Sequence, residues 1–213
     1  MILEGSKAMT TPIKDALART APPSMQLRHV GMYVRDIDVM AAFYREVLGF
    51  VETDRGETRG QRVVFLTRDA DSHHQLVMET GRPPGEGPGH GMQQLSFKVQ
   101  ALDDLRAMYR VIWDRRDVTR ITPVDHGNAW SLYFHDPEMN RIEIYLDTPW
   151  HIAQPHREEL DLSLSDAKIL AITEQRARRD AGFQPMAQYR AALAERIAAA
   201  RRSAAGSNAE ETA

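Results

Sequence analysis

His29-Val30-Gly31-Met32-Tyr33-Val34 and Gln94-Leu95-Ser96-Phe97-Lys98-Val99 are one pattern written twice, 65 residues apart. Each alternates apolar and other residues, which is the period of a strand. The correspondence continues without a gap: Asp38 falls over Asp103, Met40 over Leu105, Ala42 over Ala107, Tyr44 over Tyr109 and Arg45 over Arg110. Further on, Leu76-Val77-Met78-Glu79 falls over Arg141-Ile142-Glu143-Ile144. A duplicated unit offers equivalent positions twice, related by a pseudo-twofold axis. His29, Met78, Gln94 and Glu143 are four such positions. Three carry metal-capable side chains and one does not, the expected look of a half-open metal site.

Working outward, residues 26–34 read as a strand. Asp36 to Leu48 carries Ile37, Met40, Ala41, Phe43, Tyr44 and Val47 on one helix face, and Gly49 stops it. Strands are predicted at about 50–54, 61–67 and 74–79, so one unit is β-α-β-β-β. The Gly/Pro-rich run from Gly81 to Gly91 suits neither helix nor ladder and joins the units. The second unit is predicted as strand 92–99, helix 102–115 and strands near 118–124, 129–135 and 141–147. The fold class is therefore α+β. Residues 25–148 are expected to form two modules, 25–80 and 92–148, pairing into a curved, cup-like sheet with the helices outside. Residues 1–24 are expected to be a flexible arm. Residues 149–213 are expected to be a helical extension with a disordered end from Ser203. Its helices are predicted over Asp166–Arg179 and from Pro185 to about Arg202, each with an apolar side that covers the core or serves as a lid or dimer arm.

Composition narrows the chemistry. The chain has 213 residues, 42% hydrophobic and 27% charged, as an ordinary globular domain does. Its net charge of -3 argues against nucleic acid. It contains no cysteine, so any metal must sit on imidazole, carboxylate or amide oxygen. Apolar runs fall short of the ~20 residues of a membrane span, and residues 1–24 lack a signal-peptide core. A cytoplasmic location is the expectation.

Three further stretches carry a resemblance: Asp71-Ser72-His73-His74-Gln75-Leu76-Val77-Met78; His126-Gly127-Asn128 with Leu132-Tyr133-Phe134; and Asp136-Pro137-Glu138-Met139-Asn140-Arg141-Ile142-Glu143-Ile144-Tyr145. With the duplicated unit, they resemble the vicinal oxygen chelate superfamily over about residues 26–147. That group holds glyoxalase I, the fosfomycin- and bleomycin-resistance proteins and the type I extradiol catechol dioxygenases, and the three motifs resemble the last most. The third motif departs from the usual form in having Met139 where glycine is common.

The resemblance implies a site. His29 and Glu143 would be metal ligands, the carboxylate turned inward by strand alternation. Gln94 stands where the similar dioxygenases carry histidine. It would ligate through its amide oxygen, or His90 would take its place, or the pocket would work without metal. His74, preferred to His73 from spacing, would be the general acid and base, since an imidazole titrates near working pH. Tyr133 and His126 would hydrogen-bond a substrate or metal-bound oxygen; otherwise Tyr133 is a core aromatic. Asn128, Trp130 and Phe134 would shape the pocket. The implied activity is extradiol cleavage of a catechol-like aromatic diol chelated to Fe(II) or Mn(II), with dioxygen as co-substrate and a homodimer as the expected assembly. Two alternatives share the pocket: a metal-free protein that sequesters an aromatic ligand, and a glyoxalase-like isomerase or lyase.

Overall fold

The computed structural model describes residues 25–84 and 92–206. The first module is β1 (Val30–Val34), α1 (Ile37–Glu46), β2 (Val51–Thr58), β3 (Gln61–Thr67) and β4 (Leu76–Thr80). The second is β5 (Leu95–Lys98), α2 (Leu102–Trp113), β6 (Thr119–Asp125), β7 (Ala129–His135) and β8 (Arg141–Asp147). Both modules have the predicted β-α-β-β-β order. Beyond them lie β9 (Trp150–His151), β10 (Glu158–Glu159), α3 (Asp166–Ala177), β11 (Gln184–Pro185) and α4 (Met186–Gly206). The three two-residue strands were not predicted. The expected arm over 1–24, most of the linker and His90 within it, and residues 207–213 lie outside the described residues. Leu27–Ala187 is one compact unit, and Gln188 onward belongs to a second.

Local signals explain the helix starts. Asp36 caps α1 by accepting from the backbone N–H groups of Asp38 and Val39. For α2 the capping carboxylate is Asp104, which accepts from the N–H groups of Gln100 and Ala101. Two mixed sheets result, in the orders β1-β4-β3-β2 and β10-β6-β7-β8-β5. In each module the first strand runs parallel to the last, and the remaining pairs are antiparallel. The buried faces of both sheets, with α1 and α2, enclose one hydrophobic core containing Met40, Tyr44, Leu66, Leu105, Leu132 and Ile142.

The registers correct the repeat. Val30 pairs with Leu76, but Leu95 pairs with Ile142. The first strands are thus related by a shift of 65 and the last strands by 66. One residue changes the face. Met78 is fully buried in the core, while Glu143 points to the opposite face of its sheet, with Gln94 and Ser96. The position equivalent to Glu143 is Val77. The fourth of the duplicated positions therefore has an alkyl side chain with no donor atom at all.

The Asp136–Asn140 turn ties the modules together. Glu138, 5% exposed, accepts from the backbone N–H groups of Arg35 (2.7 Å) and Asp36 (2.8 Å) at the β1–α1 corner. Asp136 accepts from the backbone N–H groups of Glu138 and Asn140, and from the Tyr44 hydroxyl at 3.2 Å. Met139 closes this turn at φ 65, in the left-handed region. A side chain there costs ~1–2 kcal/mol, and glycine would add ~0.4–1 kcal/mol of unfolded-state entropy. Met139→Gly should therefore raise stability by about 0.5–1 kcal/mol in urea titration; an unchanged or lower midpoint would show that the Met139 side chain compensates for its backbone.

Candidate active site

Strand alternation builds one polar group on the second sheet. In β7 and β8 the core-facing residues are Trp130, Leu132, Phe134, Ile142, Ile144 and Leu146. The residues between them, including Ser131, Tyr133 and Glu143, project from the other face, and Tyr133 pairs directly with Glu143 across the ladder. Gln94 and Ser96 reach the same carboxylate from the neighbouring strand. Glu143 Oε2 accepts from Gln94 Nε2 (2.8 Å) and Ser96 Oγ (2.5 Å). Its Oε1 accepts from Ser131 Oγ (2.8 Å) and from the Tyr133 hydroxyl (2.5 Å). Glu143 is 8% exposed, and all four of these partners are uncharged. Burial and the adjacent carboxylate push the Tyr133 phenol up to about 12, so it remains a donor at neutral pH. His126 Nε2 lies 2.9 Å from the same hydroxyl, and its Nδ1 donates to the His156 carbonyl at 2.7 Å.

A second group gathers on the first module. His29 ends the segment leading into β1, and its ring packs on His74, 4.5 Å between centroids. Phe65 meets the His74 ring edge-on at 5.1 Å. His73 Nε2 donates to Asp54 Oδ2 at 2.7 Å, and the Nδ1 atoms of His73 and His74 share a hydrogen bond of 3.0 Å. The carboxylate only accepts, so His73 Nε2 is the donor; with both rings neutral, His73 Nδ1 would accept from His74 Nδ1 and leave His74 Nε2 as a lone pair. Burial, then the neighbouring His29 and His73, hold the His74 imidazole below its ordinary value.

The structure thus brings Gln94, Tyr133, His126 and Glu143 together, and separately His29 with His74. Among the described residues, no hydrogen bond, ion pair or ring contact joins the two groups. Trp130 and Phe134 are 4% and 0% exposed and face the core, so they do not shape the pocket as expected. Asn128 takes part in the loop instead, accepting from Gln154 at 3.2 Å. Ser96 and Ser131 were missed, though each lies two residues from a named site residue on the same strand face. No group of three His, Asp or Glu side chains among the described residues is arranged to hold a metal.

Residues 26–144 match the Glyoxalase/Bleomycin resistance protein/Dioxygenase superfamily, and the chain belongs to it. The chain is 29% identical over 127 residues to biphenyl-2,3-diol 1,2-dioxygenase 3 of Rhodococcus globerulus, covering 57% of this chain and 63% of that protein. It is 28% identical over 91 residues to biphenyl-2,3-diol 1,2-dioxygenase 2 of the same organism, covering 41% of this chain and 47% of the relative. The matched part is thus less than two thirds of each relative's length. Among solved structures, the glyoxylase/bleomycin resistance protein/dioxygenase domain from Frankia sp. EAN1pec superposes with a TM-score of 0.52 at 22% identity, covering 59% of this chain and all of that domain. Among the described residues, no helix is long and apolar enough to cross a membrane.

The His74 imidazole should titrate below 6.5 in the folded chain, read from its ring-proton NMR shifts and assigned with His74→Gln. The unfolded chain binds this proton more tightly, so the linked contribution is a loss of stability as pH falls below 6.5. A midpoint above 7 would leave the ring mostly charged at pH 7 and remove His74 as a neutral base there.

Proposed function

We propose that the chain is an extradiol-type dioxygenase that opens the ring of a catechol-like aromatic diol beside its hydroxyl carbons. Both atoms of dioxygen enter the product, and no external reductant is consumed. The observation that carries the reading is Glu143: a nearly buried carboxylate whose four hydrogen-bond partners are all neutral. Removing a charge from water without a counter-charge is costly, and a cation is what such a group lacks. The donor set fits a hard or borderline divalent ion in kind, with imidazole from His29, amide oxygen from Gln94 and carboxylate from Glu143. The amide already adjoins the carboxylate, and a half-turn about its last torsion exchanges N–H for oxygen. Fe(II), or Mn(II), bound there would supply adjacent coordination positions and an electron path between diol and dioxygen. With a single carboxylate the set retains positive charge, which favours an anionic diol.

The chain's own groups handle protons and orientation. His74 Nε2, bare and kept neutral by burial, takes the proton of a substrate hydroxyl. Tyr133 stays a phenol and donates to oxygen. His126 is fixed by the His156 carbonyl so that Nε2 is the atom presented to Tyr133. The two Rhodococcus relatives, whose names specify dioxygenation of an aromatic diol, support the same substrate class. A second reading has one observation in its favour: Gln94 presents its N–H to Glu143, as suits a metal-free pocket that only sequesters an aromatic ligand. A glyoxalase-like isomerase is disfavoured by Val77, which supplies no fourth donor.

Metal content after anaerobic purification, followed by oxygen uptake with 2,3-dihydroxybiphenyl, tests the proposal. Iron or manganese near one per chain, with ring-opened product, is expected. Full-affinity diol binding by chain that takes up no metal would sink it in favour of sequestration, and nickel or zinc with no oxygen uptake would favour the isomerase. Gln94→His should tighten iron binding roughly tenfold, as a donor better by ~1.4 kcal/mol would. His74→Ala should lower kcat by ~10²-fold or more.

A further inference from the structure

The loop carrying His126 is held from outside the family-matched residues 26–144. Asp125, 1% exposed, accepts from the Gly127 N–H through Oδ1 at 2.8 Å. Its Oδ2 accepts from the Thr173 hydroxyl at 2.6 Å and lies 3.7 Å from the Arg176 guanidinium. Thr173, also 1% exposed, sits on α3 and accepts in turn from Trp130 Nε1 at 2.8 Å. Both capacities of that hydroxyl are therefore used, on two buried groups flanking the His126 loop. The segment before α3 closes the other side. Thr148 donates to the Gly127 carbonyl at 2.6 Å, Gln154 donates to the His126 carbonyl at 2.9 Å, and the His156 carbonyl receives His126 Nδ1 at 2.7 Å. Gly127 has φ 72, and a Cβ there would lie 2.2 Å from Ile152 Cδ1, so the loop and the C-terminal segment are fitted to each other without room for a side chain.

We infer that the segment 148–177 is a built-in part of the active site, and that Thr173 is a positioning residue for His126. Thr173 sets Asp125, Asp125 sets the Gly127 turn, and the turn aims His126 with Nδ1 on the His156 carbonyl and Nε2 on Tyr133. A helix that merely covered the core would need only apolar contacts at this point. Here a hydroxyl is placed between an indole N–H and a carboxylate whose next residue is the imidazole. The inference rests on His126 belonging to the proposed site, but its primary test does not use turnover.

The experiment is a long-range ¹H–¹⁵N correlation of histidine-labelled full-length chain, comparing wild type, Thr173→Val and Thr173→Ser. Wild type should show His126 with Nδ1 protonated and in one fixed hydrogen-bonded state. Thr173→Val keeps the shape and loses the hydroxyl; it should shift both His126 nitrogens toward averaged values, and Thr173→Ser should restore the wild-type pattern. If Thr173→Val lowers Tm while His126 keeps the wild-type signature, Thr173 only packs and the inference is overturned. If Thr173→Val does not fold, Gln154→Ala takes its place: Gln154 is exposed and bonds the loop directly. An unchanged His126 signature in that variant would overturn the inference equally. Where wild type opens the diol ring, Thr173→Val should lower kcat by ~10–100-fold with KM little changed. Absence of ring opening in wild type would remove the dioxygenase reading and leave the tautomer test standing.

Discussion

Glu138 is the constraint on which the arrangement of the two modules depends. A carboxylate 5% exposed must find its compensation inside the protein, and this one finds it across the module boundary. It takes the N–H groups of Arg35 and Asp36 at the start of α1, with Arg35 and Arg82 side chains 3.8 and 3.5 Å away. The negative charge also meets the positive end of the α1 dipole. Arg82 bonds Asn140 of the same turn at 2.8 Å. The hairpin that carries Tyr133 and Glu143 is thereby anchored to the corner that follows the His29 strand. Loss of the Glu138 carboxylate would remove the acceptor of two backbone N–H groups at the start of α1 and cut this polar tie between the second sheet's hairpin and the first module.

The duplication offers four equivalent positions, His29, Val77, Gln94 and Glu143, and explains why they are unequal. Gene-level symmetry places Val77 and Glu143 alike, each on the outward face of the strand parallel to its module's first strand. The two corners before β1 and β5 hold His29 and Gln94. One module thus contributes an imidazole and an alkyl group, the other an amide and a carboxylate. The hydrogen-bond donors follow the charge: Ser96, Ser131 and Tyr133 lie around Glu143, whereas Val77 pairs with Gly31 and Phe65. The first module instead collects imidazoles, with His73 and His74 in the turn before β4, where strand alternation no longer dictates direction.

Periodicity made the two modules legible, because a strand face and a helix face each repeat at a fixed interval. The same alternation turned Glu143 and Tyr133 to one side and would have found Ser96 and Ser131. It misplaced Met78 because a one-residue difference in the connections leaves no mark on composition, yet reverses the face. Trp130 and Phe134 were drawn toward the pocket by their proximity in sequence to Tyr133, whereas alternation sends them to the core. The clamp on His126 was not legible at all. Its partners lie 21 to 48 residues away, and one of them is a backbone carbonyl, which has no side-chain signature.

The proton count in the polar group limits what it can do. His126 Nδ1 must donate to the His156 carbonyl, so in the neutral ring Nε2 is bare and needs a donor. The only hydrogen available to it among its partners is the Tyr133 phenolic one, which Glu143 Oε1 also takes. One proton thus faces two acceptors. While Glu143 keeps that hydrogen bond, Nε2 must bring a second proton or go without. Whatever occupies a lone pair of Glu143 releases the phenol to turn toward His126 or toward a ligand oxygen. Occupancy at the carboxylate and the direction of the Tyr133 donor are therefore coupled through a single hydrogen atom, and the C-terminal segment, by fixing the His126 tautomer, determines which way that coupling runs.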